Sequence, residues 1–224
     1  MCARNIILHV PHIPQKGEHM NLKEELVWAG NELLRRGLTV YTAGNISVRT
    51  GNGQGFYIKP SSLPYPDVRP QDLVAIDWEG TILAGTRPPS SEHNLHRMIY
   101  LARHDVAAIV HTHSPYATTL ASSKARHGIP AVLGEVASYM GGAINLARYA
   151  PSGTLELAQN AVECLGQTRR GILLKNHGAL AVGDNLKHAL DLAEIIERAA
   201  ESLILVQLLG GYDQHPETYE PQNA

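Results

Sequence analysis

His111 and His113 stand two residues apart at the end of an apolar run, Val106 to His113, that reads as a buried strand. Successive strand side chains point to opposite faces, so the two imidazoles share one face, about 6 to 7 Å apart along the axis. Held there, both can reach a single metal at Zn–N distances of about 2.0 to 2.1 Å, and Pro115 ends the ladder just beyond them. The same pattern equally describes two ordinary histidines at a strand end, bonded to backbone or water. The rest of the chain must supply the other ligands. Gly171 to Val182 reads as two apolar strands joined at Asn176-His177-Gly178, and a histidine beside a turn glycine is placed to project from a sheet end into a cleft. His177 is the third imidazole.

Three polar stretches surround this histidine set. Pro88-Pro89-Ser90-Ser91-Glu92 precedes Leu95, Met98, Ile99 and Ala102 at helical spacing, so Ser90 or Ser91 is the expected cap of a helix with Glu92 in its first turn. A helix N-terminus gathers free N–H groups and partial positive charge, which suits phosphate. The structural alternative is a plain serine cap with a glutamate favouring the dipole. Gly44-Asn45-Ile46-Ser47 interrupts an expected strand over Thr39 to Arg49, either as a bulge or as a small anion-binding nest. Lys59-Pro60-Ser61-Ser62 adds an exposed polar corner.

The elements that must position these groups are legible in part. Asn21 and Glu24 have capping-box spacing, Leu22, Leu26, Ala29, Leu33 and Leu34 form a helical stripe, and Gly37 stops it. A β-rich block follows: Thr39 to Arg49, a turn at Gly51 to Gly53, Phe56 to Lys59, then a hairpin of Val74 to Asp77 and Thr81 to Ala84. Beyond the central strand come a helix over Tyr116 to Ser123, a strand over Ile129 to Leu133, a turn at Gly141-Gly142 and a strand around Ala143 to Leu146. Gly153-Thr154 opens an amphipathic helix on which Cys164 is buried and inert. Asp184 is the expected cap of a last helix with a stripe of Ala189, Leu192, Ala193, Ile196, Ala200 and Leu203. His93, His96, His104 and His188 are read as surface or packing residues, and His9, His12 and His19 share no evident face.

Composition narrows the classes. At 224 residues with 44% apolar content, the chain is long enough to bury a sizeable core, and no linker, repeat or low-complexity tract divides it. One domain over 1–224 is expected, with a core at about 20–210 and a polar tail from Tyr212. A formal charge of −2 with mixed signs offers nothing to nucleic acid or an anionic membrane. Two cysteines exclude a disulfide framework, and no apolar run approaches the ~20 residues of a membrane span. The cytoplasm is the expected compartment.

Taken together, Gly-Asn-x-Ser at Gly44 to Ser47, Lys-Pro-Ser-Ser at Lys59 to Ser62, Pro-Ser-Ser-Glu at Pro89 to Glu92, His-Thr-His at His111 to His113 and Asn-His-Gly at Asn176 to Gly178 resemble class II sugar-phosphate aldolases. That family groups L-fuculose-1-phosphate aldolases, L-ribulose-5-phosphate 4-epimerases, methylthioribulose-1-phosphate dehydratases and the adducin head domain. The resemblance spans about residues 20 to 210 and implies a three-layer α/β/α fold with a mostly antiparallel central sheet. It also implies a homotetramer with active sites between subunits. Carried over by residue, it makes His111, His113 and His177 ligands of Zn2+ (Co2+ or Mn2+ as substitutes), with Glu92 both a metal-site carboxylate and the acid/base. Gly44, Asn45, Ser61, Ser90 and Ser91, with Ser62, are then the phosphate site of a small phosphorylated sugar.

The implied reaction is cleavage of a ketose 1-phosphate, like L-fuculose 1-phosphate, to dihydroxyacetone phosphate and an aldehyde. The alternatives are an epimerase or dehydratase on the same zinc site and, in another class, a non-catalytic adducin-like interaction module. Where fuculose-phosphate aldolases carry a second acid/base tyrosine, this chain has Gly134. Tyr139 lies nearby, Glu135 falls close to a glutamate of the dehydratase branch, and a tyrosine of the tail is the remaining candidate.

Overall fold

The computed structural model describes residues 20–124, 128–131 and 133–211. His9, His12, His19 and the tail from Tyr212 lie outside the described residues.

Asn21 opens the first helix as its spacing requires. Its side-chain oxygen accepts from the N–H groups of Lys23 and Glu24, and Glu24 Oε2 accepts from the Asn21 N–H at 2.9 Å. The helix, α1 (Leu22–Arg35), buries Leu26, Ala29 and Leu33.

The expected strand from Thr39 is overturned in its first half. Thr39 Oγ1 donates to the Ala43 carbonyl at 2.5 Å, Tyr41 adopts a φ of 53°, and Val40 and Tyr41 stand 68% and 74% exposed. Residues 39–44 therefore turn, and β1 is Asn45–Arg49. Val and Tyr favour a strand only where a pleated surface covers them, and Val40 and Tyr41 have none, while the buried Thr39 uses its hydroxyl to close the turn. Gly44 consequently leads into the strand instead of interrupting it.

β1 pairs with β2 (Gly55–Ile58) across the glycine turn, and β3 (Val74–Asp77) and β4 (Ile82–Ala84) form the expected hairpin. The chain continues through α2 (His93–Ala102), β5 (Ala108–Thr112), α3 (Pro115–Ser122), α4 (Gly134–Tyr139), β6 (Asn145–Ala147), α5 (Leu155–Leu165), β7 (Gly171–Leu174), β8 (Gly178–Gly183) and α6 (Leu186–Leu208). The strands make one eight-stranded sheet in the order β4-β3-β2-β1-β5-β8-β7-β6, antiparallel at every pairing except β6 with β7. Alternation along the strands divides the core. Ile46, Val48, Val110 and Ala181 face α1, α3 and α6, whereas Phe56, Ile58, Ile109 and Val182 face α2 and α5. This is the expected three-layer α/β/α arrangement. No helix among the described residues is long and apolar enough to cross a membrane.

Three further expectations are corrected. Ile129 makes only an isolated bridge with Ile144, in place of a strand to Leu133, because Pro130 offers no N–H to a ladder; β6 begins at Asn145. Gly134 to Tyr139, read without an element, is helical. Asn185, not Asp184, caps α6 by accepting the His188 N–H at 2.8 Å, while Asp184 pairs with Arg170 at 2.7 Å. Cys164 is half-buried, and burial pushes its thiol up to about 11.

Candidate active site

His111 lies in β5 with its side chain on the α2 face, and His113 follows just past the strand end. His177 occupies the β7–β8 turn, where Asn176 takes a left-handed φ of 55° and the His177 N–H donates to the Leu174 carbonyl at 3.1 Å. Gly178 is needed beside it, because a Cβ there would overlap the Thr112 carbonyl. These backbones bring three ring nitrogens to one point. His113 Nε2 lies 3.0 Å and His177 Nε2 3.3 Å from His111 Nε2.

The fourth group is Glu92. Its Oε2 stands 3.2 Å from His111 Nε2 and its Oε1 3.4 Å from His177 Nε2. Neither serine before it caps α2 through its side chain, contrary to expectation: Glu92 itself occupies the cap position, and Ser90 Oγ accepts the Glu92 N–H at 3.2 Å. Glu92's carboxylate is drawn away from the helix end by two donors, Asn45 Nδ2 at 2.8 Å and Ser152 Oγ at 3.0 Å.

This donor set fits a divalent cation. His111 Nδ1–H donates to the Ala179 carbonyl at 2.9 Å, which leaves a lone pair on Nε2 when the ring is neutral. His113 and His177 aim their own Nε2 atoms at that lone pair, and one proton cannot bridge both contacts. Tetrahedral coordination at Zn–N distances near 2.05 Å sets ligand nitrogens about 3.3 Å apart, close to the spacing found. Burial, followed by the charge of His111, lowers His113 to about 3 and His177 to about 4, so both rings are neutral at pH 7, the form a metal would need. Burial opposes charge on His111 and Glu92 alike. Their mutual attraction outweighs it, holding His111 above the ordinary histidine range and Glu92 below the usual carboxylate range.

Around Glu92 opens a cleft of about 220 Å³ lined by the phosphate-motif residues Gly44, Asn45, Ser61, Ser62, Ser90 and Ser91, together with His113 and His177. Two of its segments are clamped side by side: Ser61 N–H donates to the Pro88 carbonyl at 3.0 Å and Ser90 N–H to the Lys59 carbonyl at 3.2 Å. Gly44, at φ 65°, is a required glycine, since a Cβ would overlap the His111 carbonyl. The cleft can therefore present hydroxyl and N–H donors to an anion beside a cation site.

Glu135 and Tyr139 are not brought to this cleft. Both are exposed on α4, Tyr139 at 58%, and Glu135 borders a separate pocket with Arg198 and Ser202. Sequence reasoning missed Ser152, which directly precedes the noted Gly153-Thr154 pair and has no motif of its own. His96, read as a surface or packing residue, is the latter, fully buried, and its bonds to Asn45 and Ser47 were not foreseen.

Comparison with known proteins agrees with this geometry. Among curated proteins, a 5-methylthioribulose-1-phosphate/5-deoxyribulose-1-phosphate aldolase of Rhodospirillum rubrum is 42% identical over 185 residues, 83% of this chain and 81% of the relative. A 5-deoxy-D-ribulose 1-phosphate aldolase of Bacillus thuringiensis serovar kurstaki is 39% identical over 188 residues, 84% of this chain and 86% of the relative. A solved L-fuculose 1-phosphate aldolase superposes with a TM-score of 0.81 at 37% identity, covering 88% of this chain and 91% of that one. A family model described as Class II Aldolase and Adducin N-terminal domain matches residues 24–204, and the chain belongs to this family as one of its carbon–carbon lyases.

Proposed function

We propose that the protein is a zinc-dependent aldolase that cleaves a ketose 1-phosphate of the 5-deoxypentulose type, reversibly, to dihydroxyacetone phosphate and a short aldehyde. The observation that carries this reading is the convergence of three imidazole Nε2 atoms and the Glu92 carboxylate beside a donor-rich cleft. The 5-deoxyribulose 1-phosphate named for two relatives supports the substrate class over a fuculose phosphate.

His111, His113 and His177 would hold the ion, which supplies Lewis acidity to the ketone and the neighbouring hydroxyl. Ser61, Ser90, Ser91 and the backbone at Gly44-Asn45 bind the phosphate by charge-assisted hydrogen bonds. In the condensation direction the ionised Glu92 removes a proton from the hydroxymethyl carbon of dihydroxyacetone phosphate, the future C3 of the ketose. Cleavage runs in reverse: the C4 hydroxyl gives its proton to a second base, the C3–C4 bond breaks as C4 becomes the aldehyde carbonyl, and Glu92 delivers to C3 a proton taken up from solvent. The group that exchanges the C4 hydroxyl proton comes from α4 of a neighbouring copy in a homotetramer. Exposure of Tyr139 and Glu135 on a helix outside their own cleft supports this assignment. The three histidines and the Glu92 carboxylate, brought together at one point, favour an enzyme over an adducin-like interaction module. Product analysis tests the reaction: dihydroxyacetone phosphate must appear from a ketose 1-phosphate, and a single dehydrated product holding every carbon would replace this reading by a dehydratase.

A further inference from the structure

We infer that His96 is a positioning residue that, through Asn45, fixes the orientation of the Glu92 carboxylate. The inference rests on the acid/base reading of Glu92, but its structural content stands on a directed chain of hydrogen bonds. Behind Glu92, Asn45 Oδ1 lies 2.5 Å from His96 Nε2, His96 Nδ1 lies 2.6 Å from Ser47 Oγ, and Ser47 Oγ lies 2.8 Å from the Tyr100 hydroxyl. Asn45, Ser47, His96 and Tyr100 are all buried, the last three completely.

The direction of every bond follows from the first. An ionised carboxylate only accepts, so Asn45 must turn its amide nitrogen to Glu92 and its oxygen to His96. His96 must then carry its proton on Nε2 and offer a lone pair on Nδ1. Ser47 must donate to that lone pair, and its oxygen is left to accept from Tyr100. Burial and the charge of His111 lower His96 to about 3, which agrees with a neutral ring bearing one N–H. The chain is not a proton relay, because an amide oxygen cannot take up and pass on a proton at neutral pH. Its effect is orientational. Were the imidazole to carry its proton on Nδ1, Asn45 would meet a lone pair, and turning its amide would put oxygen against the Glu92 carboxylate.

The test compares His96→Leu with His96→Gln, since the glutamine amide nitrogen reaches the place of Nε2 and restores the N–H to Asn45. His96→Leu is expected to lower kcat by about 10- to 100-fold with KM changed by less than about 3-fold, and His96→Gln to recover to within about 5-fold of wild type. Equal kcat losses in the two variants at equal melting temperature would overturn the inference. Selective nitrogen-15 labelling of histidine gives a second readout in the unmodified protein, independent of any substrate. His96 is expected as the Nε2–H form and the Nδ1–H form would overturn the inference even if both variants failed to fold. Absence of wild-type cleavage would count against the aldolase reading and leave the tautomer result standing.

Discussion

Asn45 lies directly opposite His111 across the antiparallel β1–β5 ladder. This one register joins the glycine–asparagine motif to the histidine motif, because both side chains then leave the sheet on the α2 face. A slip of one residue would turn one set to the opposite face, among Ile46, Val48 and Val110. The sheet pairing thus builds the link between the Glu92 carboxylate, through Asn45, and the three-histidine cluster.

Each subunit is expected to hold about one divalent ion, with zinc the preferred occupant. Alanine at His111, His113 or His177 should weaken binding by more than the roughly 10- to 100-fold typical of outer-shell partners. Glu92→Gln should keep most of the metal while lowering kcat by about 100- to 10,000-fold. Metal analysis after dialysis checks the first outcome and steady-state kinetics the second. Full metal content in the triple-alanine protein would remove the metal assignment.

Phosphate recognition should depend on hydroxyl and backbone donors. Loss of a hydrogen bond to a charged group costs about 1.5 to 3 kcal/mol, so replacing both Ser90 and Ser91 by alanine should reduce kcat/KM at least about 100-fold. Phosphorylated substrate should outcompete its dephosphorylated form in the wild type, and the double variant should lose that preference. An unchanged preference would place the phosphate elsewhere.

Acid should destabilise the metal-free protein from pH 6.5 downward. His96, His113 and His177 bind protons near 6.5 when unfolded but only near 3, 3 and 4 when folded, so unfolding takes up protons across that window and stability falls with pH until both forms are protonated. His111 works the other way, since its raised value favours the folded protein below 6.5, and Glu92 joins the loss once pH drops beneath the usual carboxylate range. Urea midpoints of apoprotein at pH 7.5, 6 and 5 should decline in order. The decline should flatten when His113 and His177 are both glutamine; an equal slope in that variant would contradict the assignment.

What could be read in advance depended on how local the cause was. The α1 cap, the β7–β8 turn and the His111–His113 pair rest on neighbours within a few residues, and each is found as expected. Val40 and Tyr41 misled because strand propensity was visible and the absence of a covering face was not. Ser152 and His96 had no local signal at all, since their partners Glu92 and Asn45 lie 60 and 51 residues away in sequence. The role of α4 is equally non-local if the residue it serves belongs to another copy.

If Tyr139 serves the cleft of a neighbouring subunit, Tyr139→Phe should lower kcat by about 100-fold or more while metal content stays at the wild-type level. Glu135→Gln should have the smaller effect in an aldolase, and the reverse ranking would favour dehydratase chemistry. A mixing experiment separates action between subunits from action within one. Inactive Glu92→Gln and Tyr139→Phe proteins, unfolded together and reassembled, should regain part of the wild-type activity, because some interfaces then combine an intact Glu92 from one copy with an intact Tyr139 from its neighbour. Were both residues needed from the same chain, no interface in the mixture could be complete. Activity no greater than the sum of the two separate variants, in a mixture shown to exchange subunits, would return the second acid/base to a residue within each subunit.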